Sequence, residues 1–225
     1  MVTSNAIRRT FHIKVGEQTA TCFLIDIDDQ QYLVTAKHIV SGFTHEGTIS
    51  IAHDRQWKNL PTKLVGHAPG EADISVLALP YRIAGADLSL PPDAKGLTVG
   101  QEVYFLGYPF GLFGEMGKEN NNYPLPFVKR GVVSCFEHNN HDLHRVFLDG
   151  HNNPGFSGGP VVFQPPGATN FQVAAVISGY RYENLPVFHG EEALPLITRH
   201  NTGIVFTYGI GYATALVREN PIGPK

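Results

Sequence analysis

Short apolar or alternating runs, each closed by glycine, proline or a polar turn, recur along this chain at 10–15, 20–27, 32–36, 48–52, 63–66 and 73–79. A second set follows at 102–107, 131–136, 145–148, 159–163, 172–177 and 203–213. Runs this short, rich in β-branched and aromatic residues, predict strands rather than helices. The 24 glycines and 16 prolines, with charged residues at only 16%, suit many turns and few long helices. Residues 80–100, with Pro91-Pro92-Asp93 inside them, read as a linker between the two sets. Residues 214–220 fit a short terminal helix. A chain of 225 residues can form one large β-domain or two small ones.

Chemistry enters at Gly155-Phe156-Ser157-Gly158-Gly159-Pro160, just before the run Val161-Val162-Phe163. A serine between glycines in a tight turn exposes its hydroxyl and aims nearby backbone N–H groups at one spot. A nucleophile with an oxyanion hole requires that arrangement. Upstream, Tyr32-Leu33-Val34-Thr35-Ala36-Lys37-His38-Ile39-Val40 sets a histidine just past an apolar strand. Ala72-Asp73-Ile74-Ser75-Val76-Leu77-Ala78-Leu79 sets an aspartate at the mouth of another. Histidine, then aspartate, then serine is one of the known chain orders of a serine-nucleophile triad. Alone, His38 reads as a core histidine, Asp73 as a strand-end carboxylate and Ser157 as part of a glycine turn; the joint order and context favour the triad.

These segments resemble the trypsin-like, chymotrypsin-fold serine peptidases, and most closely the HtrA-like protease domain. Further matches are Gly107-Tyr108-Pro109-Phe110-Gly111-Leu112, Arg130-Gly131-Val132-Val133-Ser134, the segment 149–162, and Gly209-Ile210-Gly211-Tyr212-Ala213. The resemblance implies two six-stranded antiparallel β-barrels with the active site in the cleft between them. Residues 1–90 would form the barrel carrying histidine and aspartate, and 91–225 the barrel carrying the nucleophile. It further implies His38, Asp73 and Ser157 as catalytic residues and the N–H groups of Gly155 and Ser157 as the oxyanion hole. Ser178-Gly179-Tyr180 would pair with substrate backbone, Ser178 could also brace the aspartate, Gly209 and Gly211 would leave one pocket wall open, and His151 would form the pocket floor. A floor histidine could favour acidic side chains, whereas a loop histidine facing solvent is the plainer reading.

The chain departs from the family pattern at Phe156, where HtrA-like proteases have asparagine and zymogen-activated trypsins have aspartate. No stretch near Met1 resembles a trypsin's newly cut terminus, and the match is to the protease domain without a PDZ domain. Order in the nucleophile turn is therefore expected from packing of Phe156 or from the loop 108–129.

Charge and composition exclude other classes. The formal charge of -3 and pI near 6.4 argue against nucleic-acid binding. Arg8-Arg9 and Lys129-Arg130 read as isolated, solvated pairs, and Asp26, Asp28 and Asp29 as a solvated turn. Residues 1–20 lack the apolar stretch of a signal peptide, and 203–217 is too short and glycine-rich to span a bilayer. A cytoplasmic protein without membrane contact is expected. Cys22 and Cys135 sit in apolar contexts and read as two buried thiols, a single bridge being the alternative. His138, His141 and His144 could suggest zinc, but the surrounding asparagines and aspartate fit an exposed loop, so neither metal nor cofactor is expected. The partners expected are a protein or peptide substrate and a regulatory protein. The leading reading is a serine endopeptidase; a silent peptide-binding pseudo-protease and an esterase-type acyl hydrolase are the alternatives.

Overall fold

A computed structural model describes residues 2–139 and 142–225. Its first barrel is built from β1 (Thr10–Val15), β2 (Gln18–Ile27), β3 (Gln30–Thr35), β4 (Glu46–His53), β5 (Gln56–His67) and β6 (Ser75–Ala78). Every neighbouring pair is antiparallel, and the barrel closes in the order β1-β2-β3-β6-β5-β4. Two tight turns set the register. Asp28 and Asp29 join β2 to β3 at φ of 50° and 62°, and Asp54 and Arg55 join β4 to β5 at 56° and 59°. Positive φ at both central residues matches the right-handed twist of the flanking strands.

The second barrel is also antiparallel. It holds β7 (Glu102–Gly107), β8 (Phe127–Asn139), β9 (Asp142–Asp149), β10 (Pro160–Phe163), β11 (Gln172–His189) and β12 (Glu192–Gly209), in the order β10-β11-β12-β9-β8-β7. Each barrel has its own apolar interior, from Phe11, Leu24 and Leu60 in one to Phe105, Val146 and Phe156 in the other. A third cluster lies between them, where Phe23, Tyr32 and Val34 meet Leu106, Val162, Val176 and Tyr208. The barrels are thus fused through an apolar interface, and whatever sits at its rim is held by both.

Several sequence expectations need correction. The runs 172–177 and 203–213 were too short as strands: β11 and β12 continue past the barrel and pair only with each other from Gly179 to His189 and from Glu192 to Asn201. This arm leaves Phe188, Leu196 and Ile197 exposed, so it lacks the one-sided burial that marks a strand in sequence. The terminal helix starts earlier than expected. Helix α1 (Ser4–Arg8) precedes β1, and α2 (Gly211–Glu219) returns to the first barrel, with Asn220 Nδ2 donating to the Val65 carbonyl and Gln31 N–H to that of Pro224. Arg9 is fully buried, not solvated, because it pairs with Asp26, which Arg82 also contacts at 3.0 Å. Cys22 is buried but Cys135 is exposed; both are free thiols. Among the described residues no helix is long and apolar enough to cross a membrane.

Candidate active site

The 3-10 turn Lys37–Ile39 leaves the end of β3 and carries His38 to the rim between the barrels. Asp73 precedes β6, the strand paired with β3, so the two side chains arrive at the same end of one sheet. His38 Nδ1 lies 2.7 Å from Asp73 Oδ2, and the His38 N–H donates to Asp73 Oδ1 at 2.8 Å. A carboxylate only accepts, so Nδ1 carries a proton, and in the neutral ring the lone pair is on Nε2. Ser178 Oγ donates to the same Asp73 Oδ2 at 2.6 Å. Burial pushes the Asp73 carboxyl up, but the bonds from His38 and Ser178 outweigh it and hold its pKa below the ordinary value. Lys37 adds a clasp: its ammonium donates to the carbonyls of Ala68 at 2.9 Å and Gly70 at 2.8 Å, fixing the Asp73 segment against the histidine turn.

The serine lies on the other barrel. Asn153-Pro154-Gly155-Phe156 forms a turn closed by Phe156 N–H to the Asn153 carbonyl at 3.3 Å, with Gly155 at φ 104°. Proline then glycine at positive φ is the type II arrangement. A Cβ on Gly155 would lie 2.2 Å from the Tyr108 carbonyl oxygen, and one on Gly158 2.2 Å from that of Thr21. Only glycine fits either position. The first barrel grips this turn through Thr21, whose N–H donates to the Ser157 carbonyl at 3.0 Å and whose hydroxyl donates to that of Gly155 at 2.7 Å. The Gly155 and Ser157 N–H groups have no acceptor among the described residues. Because Phe110 N–H donates to the Pro154 carbonyl at 2.8 Å, the Gly155 N–H of the same peptide points away from Phe110. Phe110 itself sits at φ 54°, a left-handed conformation seldom adopted by a bulky side chain.

Phe156 has no charge to pair, and its ring is fully buried, edge-on to Phe105 with centroids 5.1 Å apart. The Lys129 ammonium lies 5.4 Å from the centre of that ring and donates to the His151 carbonyl at 2.6 Å and to Asn153 Oδ1. Packing of Phe156 and the loop 108–129 both order the turn. Ser157 Oγ donates to the Ser178 carbonyl at 3.1 Å, and no hydrogen bond joins it to His38. The His38–Asp73 pair is therefore fully connected while the Ser157 hydroxyl is turned aside.

The pocket residues inferred from sequence are not all brought together. His151 is exposed, so it forms no buried floor. The buried neighbour is Asn152, whose Nδ2 donates to the Gly179 carbonyl at 3.1 Å and whose carbonyl accepts from Asn201 Nδ2 at 2.7 Å. Gly209 pairs with Ala175 in the barrel body and Gly211 opens α2, so neither faces Ser178-Gly179-Tyr180. Across that strand lie Phe206, opposite Gly179, and Val205, opposite Tyr180. Gly209 pairs four positions before Gly179, at Ala175, so plain antiparallel pairing already sets Phe206 and Val205, not the glycines, across from Gly179 and Tyr180. Sequence reading also missed Thr21, Lys37, Lys129 and Asn152; only Lys37, adjacent to His38, carried a local signal. Of the histidine cluster, His141 lies outside the described residues; His144 Nδ1 lies 2.5 Å from the Tyr212 hydroxyl, and its Nε2 3.2 Å from Glu71.

The sequence profile of the trypsin-like peptidase domain matches residues 20–164. The chain belongs to the trypsin-like peptidase family. Its fold is similar to that of the Rv3671c protease from M. tuberculosis H37Rv in an inactive form, with TM-score 0.59 and 17% identity over 96% of this chain and 90% of that one. It is also similar to the HtrA-type protease AlgW with a tripeptide, with TM-score 0.60 and 21% identity over 96% of this chain. With AlgW bound to a decapeptide the TM-score is 0.61 and the identity 18%, again over 96% of this chain. This chain spans 61% of the first AlgW chain and 65% of the second. No curated protein matches it significantly.

Proposed function

We propose that this trypsin-like peptidase is a serine endopeptidase that cleaves peptide bonds through His38, Asp73 and Ser157 and an acyl-enzyme intermediate. The carrying observation is the hydrogen-bonded chain Ser178–Asp73–His38, set opposite a glycine turn whose Gly155 and Ser157 N–H groups lack internal acceptors. His38 Nε2 would take the Ser157 proton as Oγ attacks the carbonyl, then return it to the leaving amine. Asp73, held ionised, would stabilise the imidazolium. The two free N–H groups would receive the oxyanion, each contributing about 3 kcal/mol.

The Ser178 carbonyl links binding to activation. It accepts from Ser157 now, yet a substrate strand laid along Ser178–Tyr180 would offer it a main-chain N–H. Occupying that carbonyl would release the hydroxyl, which one rotamer change would bring to His38. A second reading, a peptide-binding module without turnover, is favoured by the same Ser157–Ser178 bond. Phe156 does not argue for it, since the ring is buried in the barrel and not in the oxyanion turn. A fluorophosphonate probe, followed by digestion of a peptide library with matched esters, separates the readings. Labelling lost in Ser157→Ala together with peptide cleavage is the expected result. A wild-type protein that never labels would leave the binding module, and ester turnover without peptide cleavage would leave the acyl hydrolase.

A further inference from the structure

Past the barrel, β11 keeps one free edge, and that edge begins at the nucleophile. On the side away from β12, the Ile177 N–H donates to the Gly159 carbonyl at 2.9 Å, and the Ile177 carbonyl accepts from the Gly158 N–H at 2.8 Å. The next acceptor on that side is the Ser178 carbonyl, which holds Ser157 Oγ at 3.1 Å. Farther along, the Arg181 carbonyl turns to β12, where Thr202 Oγ1 donates to it at 2.9 Å. Backbone groups alternate in direction along a strand, so the carbonyls of Tyr180 and Tyr182 turn to the free edge. Pro186, paired with Ile197, has no N–H, and a strand tolerates proline only where that N–H would face away from the partner. The same alternation sets Asn184 outward. One edge therefore runs from Ser157 past Ser178, Tyr180, Tyr182 and Asn184 to Pro186. Beyond Ile177 no other strand pairs with it among the described residues.

A two-stranded ribbon is marginal by itself, and a third strand is what makes a small sheet stable. Apolar side chains stand exposed on both faces of this ribbon. Tyr182, Pro186 and Ile197 share one face, with the Arg199 guanidinium 4.7 Å from the centre of the Tyr182 ring, and Leu185 lies on the other. The side chains of an added strand alternate between the two faces, so each would meet an apolar neighbour. Arg181 and Glu183 set opposite charges on one face, so the edge selects neither sign of charge. Pro186 offers a carbonyl alone and ends the run of paired donors and acceptors.

We propose that this edge binds the stretch of substrate that precedes the scissile bond, which adds to the arm as a third, antiparallel strand over about eight residues. The inference rests on the reading of Ser157 as the nucleophile. The substrate class is then an extended, unfolded polypeptide with uncharged, largely apolar residues ahead of the cleaved bond. A short peptide does not reach the arm, and a folded loop cannot lie straight along it. Counting back from the bond, the first residue donates its N–H to the Ser178 carbonyl. The third exchanges both bonds with Tyr180, the fifth with Tyr182 and the seventh with Asn184. The fourth and sixth turn their N–H groups to solvent.

The experiment compares two peptides that share three residues before the bond and all residues after it, one stopping there and one extended to eight by apolar residues. With the wild-type protein, kcat/KM should rise at least about tenfold on extension. N-methylation of the fifth and seventh residues should abolish the rise, whereas N-methylation of the fourth and sixth should leave it. Asn184→Pro takes one N–H from the free edge and none from β12. It should cut the gain about fivefold, with the shorter peptide cleaved as before. Where that variant does not fold, the two methylation patterns decide alone. Equal rates for the two lengths, equal losses from the two methylation patterns, or a gain untouched by Asn184→Pro would each overturn the proposal. So would an arm paired with a second copy, seen as a dimer in sedimentation with no gain from peptide length. Fluorescence polarisation of the same labelled peptides on Ser157→Ala keeps the two readings apart. Tighter binding of the longer peptide, with the same methylation pattern, would support the edge even if no peptide were cut. Cleavage without length dependence would end the edge proposal and leave Ser157 as the nucleophile.

Discussion

The two halves of the proposed site are in different states. On the first barrel, His38 and Asp73 are joined by two hydrogen bonds, Asp73 is capped by Ser178, and Lys37 clasps the segment from behind. On the second barrel, Ser157 is bonded to a main-chain carbonyl, and two N–H groups have no acceptor among the described residues. The first half owes its order to a short strand pair, β3 with β6. The second is shaped by contacts reaching in from elsewhere: Thr21 from the other barrel, Phe110 from a loop, and Lys129 from β8. An acid–base pair can be set once, whereas a nucleophile held by distant elements can respond to what binds beside it.

The largest expected effect comes from deleting either half. Ser157→Ala and His38→Ala should each lower turnover by roughly 10⁶, and Asp73→Asn by roughly 10⁴, with circular dichroism and melting little changed. Residual cleavage near the wild-type rate in Ser157→Ala would end the assignment of that residue.

Strain applied to the nucleophile half alone should leave its partner intact. Gly155→Ala would press a methyl to 2.2 Å from the Tyr108 carbonyl at φ 104°, so phosphonate labelling should slow by roughly 10²–10³. The His38–Asp73 hydrogen bond, followed by the downfield imidazole proton in NMR, should not change. Loss of that proton signal would mean that the halves are not independent.

The His12 region supplies a pH test near the loop that orders the serine. Its folded pKa of about 4 lies below the ordinary 6.5, so between these values the unfolded chain binds the extra proton and stability falls as pH falls. From pH 7 to 5 the loss should be about 2 kcal/mol, and it should be absent in His12→Phe. Tyr108 and Trp57, which flank the ring, do not titrate in this window. Denaturant curves for the two proteins at each pH give the difference, and parallel behaviour would remove His12 as its source.

The smallest effect should come from Ser178→Ala. It removes one of the bonds to a well-connected carboxylate and should lower kcat/KM about tenfold. A drop as large as that of Asp73→Asn would show that the acid–base half depends on the second barrel more than its geometry suggests.

Sequence alone located the parts whose chemistry is local. The runs at 10–15 and 102–107 coincide with β1 and β7, since short runs rich in β-branched and aromatic residues between turn residues favour strands. The glycines of 155–159 were legible because close backbone approaches exclude every other residue there. The histidine after β3 and the aspartate before β6 could be singled out because each sits at the end of an apolar run. What had no local signature was decided by tertiary structure. Thr21 meets Gly155 across 134 positions, Asn152 meets Asn201 across 49, and the pairing of β11 with β12 sets Phe206 and Val205, not Gly209, opposite Gly179 and Tyr180. The arm of β11 and β12 buries too little to show a pattern, and Arg9 is buried only because Asp26 is there to receive it. The sequence determined which groups this protein has for chemistry; the closing of two barrels on one interface decided which of them meet, and that the Ser157 hydroxyl rests turned away from His38.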